Sequence, residues 1–105
     1  MSLSHLPTET RRIIRSLRPY DVVVVEWEDA FSTIHDYTLE EAQAIAGKEV
    51  YMRKTLGYVV LADNDYMIIA GTDDRCAARS SSEVADLTVL CTGFVRDVEL
   101  LRRDK

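Results

Sequence analysis

Arg11, Arg15 and Arg18 recur at intervals of four and three residues, and Arg12 stands beside the first of them. At helical pitch this spacing sets guanidinium groups along one side of a helix, while the apolar Ile13, Ile14 and Leu17 fall on another. Guanidinium groups arrayed in this way can contact successive phosphates, which makes Arg11, Arg15 and Arg18 the candidate nucleic-acid-binding residues. The competing reading is a solvated helix face. Thirteen Lys and Arg against eighteen Asp and Glu leave a net charge of -5, so no wider basic field supports phosphate binding. Trp27, Tyr37, Tyr58 and Tyr66 have faces that could stack on bases, but aromatics in and around β segments more often serve a core or an interface.

Other constellations are thinner. His35-Asp36, with Trp27, Glu28 and Asp29 nearby, supplies the side chains of a general base and its acidic partner, yet no nucleophile motif accompanies them. Asp63, Asp65 and Asp74 resemble part of a calcium loop, but Ile68 stands where the turn glycine belongs and the closing glutamate is missing. The four glycines, Gly47, Gly57, Gly71 and Gly93, stand alone, so none builds a phosphate-cradling loop. Cys76 and Cys91 lack the spacing of a metal site, and Cys91 is expected to be a small buried hydrophobe. These readings give no catalytic, cofactor or metal residue, and the chain is expected to be non-enzymatic. With no signal-like segment, the two thiols suggest a reducing cytoplasm. The longest apolar runs fall far short of the roughly 20 residues of a membrane span.

The elements that must position these residues read as mainly β. A chain of 105 residues suits one domain. Met1-Ser2-Leu3 reads as an expression remnant without functional weight. Thr8 to Leu17 is expected to be helical and to stop before Arg18-Pro19, because a residue preceding proline avoids the α region. Asp21 to Glu28, with four consecutive valines, should be a strand covered on both faces. Thr38 and Glu41 form a capping box for a short surface helix over Leu39 to Ala46, stopped by Gly47. Val50 to Ala70 reads as a hairpin turning at Asp63-Asn64-Asp65, its first strand bent or bulged at Gly57. Gly71 to Asp86 is polar and aperiodic and reads as a long mobile loop. Leu87 to Leu90 and Val95 to Leu100 complete the strands around a tight connection at Thr92-Gly93-Phe94. Five short strands are best satisfied by a small barrel.

Gly57-Tyr58-Val59-Val60-Leu61-Ala62-Asp63, followed by Tyr66-Met67-Ile68-Ile69, resembles the first motif of the Sm-like proteins. There a strand glycine precedes a turn aspartate by six residues. Val89-Leu90-Cys91-Thr92-Gly93, with Val95 and Val98, is similar to the second motif, in which a glycine turn joins the last two strands. The likeness covers about half of the chain. It implies a five-stranded Sm-like barrel, here with an N-terminal helix and a short helix after the first strand, and a homo-oligomeric ring formed edge to edge. The base-contacting asparagine of that family has no counterpart among Met67, Ile68 and Ile69, and Thr92 replaces its arginine, so the likeness implies assembly more than uridine binding. The chain is also similar in a general way to small barrel proteins encoded by phages.

Two partner classes follow. One is RNA, met by the Arg11, Arg15, Arg18 face of an oligomeric binding module. The other belongs to a phage accessory or inhibitor protein that binds a host protein or a small nucleotide. An enzyme with its site at a subunit interface, where His35 and Asp36 meet another chain, ranks last.

Overall fold

In the computed structural model, residues 3–29, 36–45, 51–75 and 84–104 are described, and the side chains of Ile45 and Tyr51 are not. Helix α1 spans Thr8–Ser16, followed by β1 (Val22–Asp29), α2 (Leu39–Ile45), β2 (Tyr51–Ala62), β3 (Tyr66–Asp73), β4 (Val84–Cys91), a 3-10 turn at Thr92–Phe94 and β5 (Val95–Arg102). Helix α1 stops one residue earlier than expected. Leu17 is already extended, with ψ at 141°, one residue before the dipeptide that excludes the α region. The capping box at α2 is reciprocal: Glu41 N–H donates to Thr38 Oγ1 at 3.1 Å and Thr38 N–H donates to Glu41 Oε1 at 3.3 Å.

All strand pairings are antiparallel, and the order across the sheet is β4-β3-β2-β1-β5. The two edge strands are joined by only the three residues of the 3-10 turn. A flat five-stranded sheet would hold its edges about 19 Å apart. From Cys91 to Val95 the chain can reach about 14 Å at most. The sheet therefore curls strongly. Its edges nevertheless do not pair with each other, so the barrel expected from the sequence is, in the structure, an open curved sheet.

The concave face holds the core. Val23, Val25, Val59, Met67, Ile69, Leu90, Val95 and Val98 from the strands meet Leu3, Leu6 and Ile14 from α1 and the residues before it. Leu3 thus belongs to the core and is no inert remnant. Trp27 and Leu100 pack at its margin.

Several expectations need correction. The valine run is not covered on both faces: Val23 and Val25 are fully buried, whereas Val22 and Val24 are half-buried beside their cross-strand neighbours Tyr58 and Leu56. The irregularity in β2 lies between Val59 and Leu61 rather than at Gly57. The Gly71–Asp86 loop is shorter than its polarity suggests, because β3 continues to Asp73 and β4 begins at Val84, with Thr72 opposite Ala85 and Asp73 opposite Val84. Thr72 Oγ1 donates to Asp86 Oδ2 at 2.8 Å, so polar side chains at this end bond to one another across the ladder. Residues 76–83, including Cys76, lie outside the described residues, as do His35, Ala46 and Val50. Cys91 is only partly buried.

Candidate nucleic-acid interface and the charged junction beside it

Helix α1 turns Thr10 and Ile14 to the interior and leaves Thr8, Arg11, Arg12, Arg15 and Ser16 lining a shallow cleft of about 520 Å³. These positions are three and four residues apart, the separation that brings side chains together on one helix face. Arg11 donates through Nη2 to Thr8 Oγ1 at 2.9 Å, while its Nε is buried without a hydrogen-bond partner. Arg12 is paired with Glu9 at 3.1 Å, both side chains being well exposed. Arg15 has no partner among the described residues. The structure therefore brings together Arg11 and Arg15, adds Arg12, and separates Arg18. Arg18 follows the helix end, and its backbone N–H donates to Asp21 at 2.9 Å.

The two motif turns meet each other. Asp63 Oδ1 accepts from the N–H groups of Asp65 and Tyr66, both at 2.8 Å, and these bonds hold its carboxyl below the usual carboxylate range. Thr92, fully buried, donates from its N–H to Asp65 O at 3.0 Å and from Oγ1 to Asn64 O at 2.6 Å. The position where an arginine would face a base thus bonds to backbone, beneath a turn carrying two aspartates. The Arg96 guanidinium lies against the 3-10 turn that carries Thr92, donating to Gly93 O at 2.9 Å. Trp27 Nε1 donates to Thr55 Oγ1, Glu28 is paired with Arg96 at 2.9 Å and Asp29 with Arg53. Glu28 and Asp29, two of the acidic residues near His35 in sequence, are thus engaged elsewhere, while Asp36 is exposed. Among the described residues no cluster of His, Cys, Asp and Glu could hold a metal ion.

A junction that sequence spacing does not disclose lies between α1, β1 and the segment after β5. Asp21 is 1% exposed. Its carboxylate accepts from Asp104 N–H, Arg18 N–H and Arg103 Nη1, at 2.9, 2.9 and 2.8 Å. Burial opposes ionisation, but the three donors and the Arg103 charge outweigh it and hold the carboxyl below its ordinary value. Arg103 also donates to Ser16 O at 2.7 Å, satisfying a carbonyl at the end of α1. Asp104 in turn accepts from Arg75, which is bound to Asp73 as well. The partners are separated by more than eighty residues in sequence, and the only local signal is the Arg18-Pro19-Tyr20-Asp21 turn.

No protein-family model matches the chain, and no curated protein or solved structure matches it significantly. No helix among the described residues is long and apolar enough to cross a membrane.

Proposed function

We propose that this chain is a non-enzymatic binding module that assembles with copies of itself, in the manner of an Sm-like barrel whose open seam is closed by a neighbour. The observation that carries this reading is the pair of sheet edges that no other strand among the described residues pairs with. Strand β4 and strand β5 each have one neighbour, β3 and β1 respectively, although both run for eight residues. On β4, Leu87 and Val89 are 54% and 61% exposed. A long apolar edge strand is a template for another strand, and monomeric proteins normally protect such an edge. Pairing β4 of one copy with β5 of the next is heterologous and closes into a ring when the rotation per copy permits.

The second element of the reading is an RNA partner contacted through the α1 cleft, with Arg11 and Arg15 supplying the contacts and Arg12 joining them in place of Arg18. The exposed Arg15 guanidinium, without a partner among the described residues, supports it. Thr92, where the family has its arginine, is engaged with the backbone of the Asp63–Asp65 turn, which favours α1 over the two motif turns for such a contact.

Multi-angle light scattering across micromolar concentrations tests the assembly, with a multiple of the chain mass expected and a constant monomer mass excluding it. Fluorescence anisotropy with a random RNA pool tests the ligand. Affinity should fall with salt by about one log-log unit per phosphate contacted, and a lack of binding at low salt removes RNA while leaving the assembly standing.

A further inference from the structure

The Arg75 guanidinium lies over the Tyr20 ring, with Cζ 3.4 Å from the ring centre. Asp73 grips one side: Arg75 Nη2 donates to Oδ2 at 2.8 Å, and Nε donates to Oδ1 and Oδ2 at 3.1 Å. Asp104 grips the other, accepting from Nη2 at 3.0 Å and Nη1 at 3.3 Å. An aromatic face with two carboxylates in the guanidinium plane matches the fork and the cation–π preference of arginine, and fits the point charge of lysine less well.

The backbone of each wall is held without the Arg75 side chain, while the Asp73 carboxylate also accepts from the Arg75 N–H at 2.9 Å. Tyr20 N–H donates to Val59 O at 2.7 Å, which seats it on the sheet with φ at 71°. Asp73 lies in the β3–β4 ladder opposite Val84. The backbone of Asp104 is anchored on buried Asp21. Arg75, in contrast, lies beyond the last residue of β3 and outside any ladder. Its side chain is 34% exposed, against 14% for Asp73 and 32% for Asp104. Beside the Tyr20 ring a cavity of about 230 Å³ is lined by Pro19, Val59, Val60 and Val84.

We propose that Tyr20, Asp73 and Asp104 form a receptor for an arginine side chain of a peptide partner, that Arg75 fills it as an internal pseudo-ligand in the free chain, and that the neighbouring cavity takes an apolar residue adjacent to that arginine. Binding is then a competition between two guanidinium groups for preformed walls. A single exposed ion pair holds weakly, but a guanidinium shared by two carboxylates is held more firmly, so displacement requires the competing arginine in large excess over the chain.

The test titrates acetyl-arginine-amide and acetyl-lysine-amide into the full chain and into the Arg75→Ala variant, following backbone amide shifts. If Arg75 occupies the cage about nine-tenths of the time, its removal should tighten arginine binding about tenfold. The lysine compound should bind more weakly than the arginine compound, and Asp104→Asn on the Arg75→Ala background should reverse the gain. A folded Arg75→Ala variant that binds arginine no better than the parent, or binds lysine equally well, overturns the proposal. Should that variant fail to fold, the parent decides. The Arg75 Nε–H resonance must move towards its free position as acetyl-arginine-amide is added, and a resonance that stays fixed at saturating probe overturns the proposal as well.

Discussion

At the scale of single residues, Asp21 concentrates more of the tertiary structure than any residue of the arginine stripe. A carboxylate 1% exposed remains ionised because two backbone N–H groups and one guanidinium compensate for its lost hydration. Asp21→Asn removes the charge and one of the two equivalent acceptors, so at pH 7 the unfolding free energy in urea should fall by roughly 1.5–3 kcal/mol, the worth of a hydrogen bond to a charged group. The pH dependence follows from the lowered carboxyl. A depressed folded-state value makes the stabilisation complete above the unfolded-chain value of about 3.9, and it is lost as pH falls through the lower folded-state value. Parent and variant should therefore differ by a constant amount from neutral pH down to about 4 and converge in stronger acid. Equal stabilities at neutral pH would contradict this role for Asp21. Neither the burial of Asp21 nor its partners could be read from the sequence, since Arg103 and Asp104 stand more than eighty residues away.

At the scale of elements, Gly57 shows why the sheet curves where it does. A Cβ built there would sit 2.6 Å from Ile69 Cγ2 and against the carbonyl oxygen of Ala70. Strand β3 can approach β2 this closely only because position 57 has no side chain, and the register shift between Val59 and Leu61 follows two residues later. Gly57→Ala should force the strands apart and cost about 1–3 kcal/mol of unfolding free energy in urea. A variant as stable as the parent would show that the close approach is dispensable. The sequence made Gly57 conspicuous because it interrupts a run of β-formers, but placed the bulge on the glycine itself. A bulge is a relation between two strands, and only the pairing of Val59 with Ile69 and Leu61 with Ile68 locates it. Local signals were legible where the interaction is local. The Thr38–Glu41 capping box spans three residues, and the Asp63 turn bonds to residues two and three positions ahead. The ends of the Gly71–Asp86 segment read as loop for the opposite reason. Within its described residues Thr72 bonds Asp86 across the β3–β4 ladder, a compensation invisible to a reading by hydropathy.

At the scale of the whole molecule, the order β4-β3-β2-β1-β5 creates an asymmetry between the two free edges. Strand β5 carries Arg96, Asp97, Glu99 and Arg102, whereas β4 carries the single charge of Asp86 between apolar residues. Mixed charges on an edge discourage unplanned pairing, and their scarcity on β4 is what an edge reserved for a partner strand requires. The arginine stripe was visible from its spacing alone, but this asymmetry depends on which strands end up outermost, and that is decided by the 3-10 turn carrying the chain from one edge to the other. The proposed assembly can be separated from the fold by substitution at exposed positions of β4. Leu87→Lys with Val89→Lys places two charges on side chains already more than half exposed, where changes cost little folding energy, within about 0.5 kcal/mol each. The expected result is a chain with the parent's circular dichroism and urea midpoint whose light-scattering mass has dropped to that of one copy. An assembly that survives both lysines would place the contact elsewhere than on β4, and the exposed Leu101 on β5 would then be the next position to charge.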